Sequence, residues 1–135
     1  MSERAVVIDT NIVLDLWVYD DPRYHVLLQA WPTNWRWIWT ASMREELRRV
    51  LDYPHIAARR EQRSRSVIEV LGWADEKIEC VPEALRAPFV CKDPDDQKYI
   101  DLAAAHQAVL LSKDKAVLSM KRRMERLNVD IRSLP

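Results

Sequence analysis

Ala5-Val6-Val7-Ile8-Asp9-Thr10-Asn11 is a short apolar run that ends abruptly in a carboxylate, a hydroxyl and an amide. Ala5 to Ile8 show no polar alternation, the pattern of a strand buried on both faces. Helical spacing follows, with Ile12, Val13, Leu16 and Trp17 on one side. Asp9 therefore falls at the carboxyl end of a central strand, where a helix begins. In open α/β sheets that edge binds ligands. Asp, Thr and Asn are also good helix caps. This stretch alone leaves two readings open, a helix cap or one part of a ligand-binding edge.

Size and composition narrow the field. The chain has 135 residues, 48% of them hydrophobic, which suits one domain over 1–135 with a proper core and excludes a disordered chain. Its apolar runs are too short for a transmembrane helix. Met1-Ser2-Glu3-Arg4 leads straight into the first strand with no signal-peptide pattern, so a cytoplasmic protein is expected. Cys80 and Cys91 are the only cysteines, without a CxxC, and read as reduced structural thiols. Gly72 is the only glycine. That excludes a GxGxxG dinucleotide loop and a Walker A loop, which need several glycines for close approach to phosphate. It also argues against a hairpin-rich all-β fold.

The remaining elements follow the chain. Asn11–Val18 and Arg23–Trp31 read as helices separated by Asp20-Asp21-Pro22, with a turn at Pro32-Thr33-Asn34. Trp35-Arg36-Trp37-Ile38-Trp39 alternates as a second strand. Its tryptophan face suits a base-stacking platform, core packing under a helix, or a subunit contact. Thr40 caps a helix over Ala41–Leu51, and a longer helix over Ile56–Trp73 carries Val67, Ile68 and Leu71 inward. Ile78–Val81 is a third strand, Phe89–Cys91 is extended, and Asp93-Pro94-Asp95-Asp96 opens a helix to Gln107. Val109–Leu111 is the fourth strand, Lys115–Leu127 a basic helix, and Val129–Ile131 the last strand. Strands alternating with helices imply an α/β fold with a parallel sheet and helices on both faces.

Net charge is zero, with 21 bases and 21 acids, but the distribution is uneven. Ala74–Asp101 holds eight acids and four bases; Lys113–Pro135 holds seven bases and three acids; Arg59, Arg60, Arg63 and Arg65 form another basic cluster. An acidic focus flanked by basic segments fits a metal site acting on a polyanion, and each segment alone also fits a solvated helix face.

Four carboxylates stand out by position. Asp9 and Asp114 follow predicted strands, and Ser112-Lys113-Asp114 repeats the opening pattern of an apolar strand running into a hydroxyl and a carboxylate. Glu46 and Asp96 lie on helices leaving the same sheet edge. If the first and fourth strands are neighbours at a topological switch point, the four converge. Each acid alone can be a cap or a surface residue. Together they would repel unless compensated, and a hard divalent cation such as Mg²⁺ or Mn²⁺ supplies the compensation. No other catalytic set competes. His25, His55 and His106 have no HExxH spacing and read as packing or surface residues, and there is no GxSxG.

The residues Val7-Ile8-Asp9-Thr10-Asn11, Thr40 with Glu46-Leu47-Arg48-Arg49-Val50-Leu51, Cys91 to Tyr99, Ala103-Ala104 and Leu110-Leu111-Ser112-Lys113-Asp114 resemble, in that order, the PIN-domain family, and in particular its prokaryotic toxin–antitoxin ribonuclease subgroup. The resemblance implies a three-layer α/β/α sandwich around a parallel sheet. It implies a Mg²⁺- or Mn²⁺-dependent endoribonuclease that hydrolyses phosphodiesters with metal-activated water. By that resemblance Asp9, Glu46, Asp96 and Asp114 are the catalytic acids. Asp9, Asp96 and Asp114 bind metal, while Asn11, Ser112 and Asp93 hold carboxylates or waters in place. Glu46 is preferred over its neighbour Glu45 on helix phase. RNA is the implied substrate, an antitoxin protein and a second copy of the chain are implied partners, and no membrane is involved. Lys113 and Lys115 depart from the family, which often has a glycine before the last acid and an acid after it. With Arg122 and Arg123, and alternatively with Lys121 or the Arg59–Arg65 cluster, they are the candidate contacts to the nucleic-acid backbone. The rival readings are a non-catalytic PIN-like scaffold that binds RNA or protein, and a metal-dependent phosphatase. The phosphatase needs a second acid two residues after Asp9, where this chain has Asn11.

Overall fold

A computed structural model describes residues 3–29 and 34–134. The expected Trp31 helix end and the turn residues Pro32 and Thr33 lie outside the described residues. Five strands, β1 (Arg4–Ile8), β2 (Trp35–Trp39), β3 (Glu79–Cys80), β4 (Val109–Leu111) and β5 (Asp130–Arg132), form one parallel sheet in the order β3-β2-β1-β4-β5. β1 is central. Val6 and Val7, with opposite-facing side chains, are both fully buried, which is why the strand carries no alternation.

The chain runs from β1 outward to β2 and β3, then returns across the sheet to β4 beside β1. Right-handed crossovers then fix the layers. Helices α1 (Thr10–Trp17), α2 (Pro22–Gln29), α3 (Ala41–Val50), α4 (Pro54–Gln62) and α5 (Val67–Lys77) belong to one face. Within it α1 packs on α2, α3 and α5. Helices α6 (Gln97–His106), α7 (Lys115–Leu118) and α8 (Lys121–Glu125) belong to the other, where α6 lies over β1 and β4. The result is a three-layer α/β/α sandwich. The reversal of strand order puts a switch point between β1 and β4, whose register pairs Ile8 with Leu111. None of the helices among the described residues is long and apolar enough to cross a membrane.

Trp37 and Trp39 are buried, and the Trp37 ring lies 6.3 Å from that of Trp17 on α1. For those two rings the packing reading holds, and they offer no platform for bases. Cys80 and Cys91 are unpaired thiols.

Three local expectations are corrected. The long helix over Ile56–Trp73 is two helices, α4 and α5. Ser64 takes a left-handed backbone (φ 54°), and Ser66 restarts the helix with a reciprocal capping box to Glu69. The restart rotates the apolar phase, so Ile68 is 83% exposed while Val70, Leu71 and Ala74 face inward. The basic helix over Lys115–Leu127 also breaks, at the buried Met120 between α7 and α8. Phe89–Cys91 lies outside the sheet, and Gln97 bonds its backbone. Cys91 N–H donates to Gln97 Oε1 at 2.6 Å, and Gln97 Nε2 donates to the Phe89 carbonyl at 3.1 Å. The last strand is shifted by one residue, to Asp130–Arg132.

Candidate active site

The first link in the site is a continuation of the sheet. Asp9 N–H donates to the Leu111 carbonyl at 3.1 Å, and Ser112 N–H to the Arg132 carbonyl at 2.9 Å. Both side chains therefore sit just past the carboxyl ends of β1 and β4. Asp9 is buried and does cap α1, its Oδ1 accepting from Ile12 N–H at 3.1 Å. Ser112 Oγ donates to the other oxygen, Asp9 Oδ2, and itself accepts from Asp114 N–H at 3.0 Å. The serine thus ties two of the candidate acids together. Burial pushes the Asp9 carboxyl up to about 6. The bonds from Ser112 and Ile12 pull it back in part, and the nearby Asp114 charge raises it further.

The second group comes from the start of α6. Asp93 Oδ1 accepts from Asp95 N–H at 3.0 Å and so caps a single 3-10 turn, Pro94–Asp96, that leads into the helix. In such a turn residues three apart eclipse, which puts Asp93 and Asp96 on one side. Asp114 caps α7, its Oδ1 accepting from Ala116 N–H at 2.8 Å. One carboxylate oxygen each from Asp93, Asp96 and Asp114 lies within 4.8 Å of the others. Asp96 Oδ2 is buried with no hydrogen-bond partner. Burial, then the charges of Asp114 and Asp93, push the Asp96 carboxyl up to about 7. A buried carboxylate oxygen without a donor, beside two more carboxylates, suits a hard cation far better than it suits the bare protein.

Glu46 is placed differently. Its Oε1 accepts from Lys98 Nζ at 2.7 Å, and its Oε2 accepts from the Tyr99 hydroxyl at 2.5 Å and from Thr10 Oγ1. Burial pushes its carboxyl up, but the bonds from Lys98, Thr10 and Tyr99 outweigh that and hold it below the usual carboxylate range. The Tyr99 phenol, buried against Glu46, is pushed well above its ordinary value. Thr10, readable as a cap, is instead the first residue of α1, with its hydroxyl also 2.7 Å from the Tyr99 hydroxyl.

These groups line a cleft of about 310 Å³ between α1, α3, the start of α4 and the start of α6. Asp9, Asn11, Glu46, Asp96 and Asp114 are on its surface, together with Tyr53 and His55. Asn11 is exposed there, and among the described residues nothing hydrogen-bonds its side chain. A larger cavity of about 510 Å³ lies elsewhere, lined by Leu85, Ala87, Ala104 and Leu127. Its carboxylate, Asp101, is already hydrogen-bonded to Ala87 N–H and Gln97 Nε2, each at 2.8 Å, so it offers no reactive cluster.

The basic residues divide into engaged and free. Lys113 ion-pairs with Asp15, which is buried on α1, and its ammonium lies 5.7 Å from the Tyr24 ring centroid. Lys121 donates to the Ile131 carbonyl at 2.6 Å. In the Arg59–Arg65 cluster, Arg63 and Arg65 both bind Asp20, and Arg60 donates to the carbonyls of Leu51 and Arg65. These side chains hold the fold. Lys115, Arg122 and Arg123 are exposed, with no ion pair among the described residues.

Compared with the sequence reading, the structure brings Asp96 and Asp114 together as expected and adds Asp93 to them. It sets Asp9 beside this trio through Ser112, and it locks Glu46 to Lys98 and Tyr99. Sequence reasoning missed both Lys98 and Tyr99 as partners of Glu46. No local pattern links residues 52 and 53 positions away from Glu46.

The fold and the site define an open parallel α/β protein with a carboxylate-lined cleft at its switch point. The sequence profile of the PIN domain matches residues 5–116, and the chain belongs to that family. No curated protein matches it by sequence. Among solved structures, a chain from VapBC2 of Rickettsia felis, crystallised bound to a DNA fragment from their promoter, is similar in fold. The TM-score is 0.62 at 12% identity, covering 95% of this chain and 97% of that one.

Proposed function

We propose that this chain is a Mg²⁺- or Mn²⁺-dependent endoribonuclease of the cytoplasm, and the toxin component of a toxin–antitoxin pair. The observation that carries the reading is the Asp93–Asp96–Asp114 group with its partnerless Asp96 Oδ2. Three hard oxygen donors, with the carboxyls of Asp96 among them and of Asp9 beside them raised by burial and by neighbouring negative charge, fit a divalent cation. In this reading Asp96 and Asp114 hold the ion, with Asp93 and Asp9 beside them. When bound, the ion supplies an activated water and neutralises charge on the phosphoryl group.

The chain's own residues do the rest. Ser112 fixes Asp9 and the Asp114 backbone in one geometry. Asn11, exposed on the surface of the same cleft, offers an amide to a water or a substrate oxygen. Glu46, held by Lys98, Thr10 and Tyr99, keeps a fixed negative charge in the cleft. Lys115, Arg122 and Arg123 are exposed cations proposed to meet the nucleic-acid backbone, and such contacts make binding salt-dependent. The antitoxin partner is supported by the likeness to a chain of VapBC2, the assembly bound to promoter DNA.

The test is cleavage of labelled RNA by the parent, Asp9→Asn and Asp96→Asn proteins, with Mn²⁺ and with EDTA. Cleavage by the parent with Mn²⁺ alone, lost in both variants, is the expected result. Equal cleavage by the variants overturns the site. RNA binding without cleavage by any form supports the non-catalytic scaffold.

A further inference from the structure

We propose that Tyr53 and His55 form a stacking wall for one unpaired nucleobase, beside the carboxylates of the same cleft. The proposal rests on the nuclease reading for the position of the phosphate. Among the described residues Tyr53 is the one Phe, Tyr or Trp that is exposed, at 50%, and it lines the cleft. A single exposed ring on a convex surface needs no explanation. This ring is different because it stands in a concave wall that also contains Asp9, Asp96 and Asp114.

The backbone of Tyr53 is fixed where it stands. Its N–H donates to the Val50 carbonyl at 3.0 Å, its carbonyl accepts from Ala57 N–H at 2.8 Å, and Pro54 follows at the first position of α4. The His55 ring lies 6.5 Å away, tilted by 36°, so two flat groups share the wall. Val50, Ile56 and Leu14 complete the apolar part. The cleft volume of about 310 Å³ is at the small end of ligand pockets, roughly 300–1,000 Å³. It accepts one nucleotide and has no room for a helix. A base presents a π-face to such a wall only when it is out of a duplex, so the ligand is a single-stranded segment whose adjoining phosphate faces the acids.

The test measures binding of a fluorescein-labelled single-stranded oligoribonucleotide with cleavage-resistant phosphorothioate linkages, and of a blunt duplex of the same length and linkage, with Mn²⁺ present so that the phosphate does not face uncompensated acids. Stacking on one aromatic side chain contributes about 1–3 kcal/mol. Tyr53→Ala should weaken single-strand binding by about tenfold or more. Tyr53→Phe should bind like the parent, because the ring face is kept. Duplex binding and the slope of affinity against salt should not change between these forms. Equal single-strand binding by Tyr53→Ala, equal losses in Phe and Ala, a matching loss for the duplex, or no single-strand binding by the parent would each overturn the proposal. The nuclease reading fails separately. If the parent never cleaves with Mn²⁺ yet binding depends on the Tyr53 ring, the wall stands and the nuclease assignment falls.

Discussion

The Asp15 carboxylate, buried on α1, is ion-paired with Lys113, the residue between Ser112 and Asp114. Helix α1 begins with Asp9 as its cap, so the pair ties the helix that starts at one acid to the loop that carries another. Lys113→Met would leave a buried carboxylate without its cation. Breaking a buried pair costs about 3–5 kcal/mol. Lys113 remains about a third exposed, so a loss of about 2–3 kcal/mol is expected. Urea unfolding should show it, and the Asp15→Leu/Lys113→Met double variant should recover most of the loss. A single variant as stable as the parent would mean the pair does not hold the loop.

The pH dependence of the metal-free protein follows from Asp9 and Asp96. Both carboxyls are raised, to about 6 and about 7, from an ordinary value of 3.8. A raised acid favours the folded state when protonated. That contribution is complete below the ordinary value and is lost as pH rises through 6 and 7. The carboxyls of Glu46 and Asp20 are lowered, so their support is lost only in more acid solution, outside this window. The metal-free Tm should fall between pH 5 and pH 8, and fall less in Asp96→Asn. A Tm that rises over that interval in the parent would contradict the raised carboxyls.

Tyr99 donates a partly buried hydrogen bond to a charged acceptor, Glu46. Bonds to charged groups contribute about 1.5–3 kcal/mol. Tyr99→Phe keeps the ring in the core and removes the donor, so a stability loss of about 1.5–2 kcal/mol is expected by urea unfolding. An unchanged midpoint would show that Thr10 and Lys98 hold Glu46 without it.

Much of the fold was legible. β1, β2 and β4 announce themselves as short apolar or alternating runs, and the twin endings at Asp9 and Asp114 point to one sheet edge. The break between α4 and α5 was legible too, since Ser66-Val67-Ile68-Glu69 is a capping-box pattern. It is masked by apolar residues on either side that mimic one continuous stripe. Glycine poverty did not mean a lack of tight turns. Asp20, Ser64, Gln107 and Asn128 take the left-handed positions instead. The metal group was only partly readable. Asp93 joins Asp96 because the turn between them is 3-10 rather than α. Lys98 meets Glu46 across the packing of α6 on the opposite side of the cleft, which no local periodicity encodes.

Gly72 sits inside α5, and beyond its chain neighbours and the helix's own backbone no atom lies within 4 Å of the place a Cβ would occupy. Gly72→Ala should therefore stabilise the protein by about 0.5–1 kcal/mol, read as a higher urea midpoint with an unchanged slope. A lower midpoint would mean that space is filled in solution.

The central claim is that Asp96 and Asp114, with Asp93 and Asp9 beside them, hold a divalent cation. Calorimetric titration of the metal-free protein with Mn²⁺ tests it without reference to any substrate. Saturable binding by the parent is predicted, tighter at pH 8 than at pH 6 because the carboxyls must lose their protons, and weakened at least tenfold in Asp96→Asn. Equal affinity in parent and Asp96→Asn, or no saturable binding by the parent at pH 8, would contradict it.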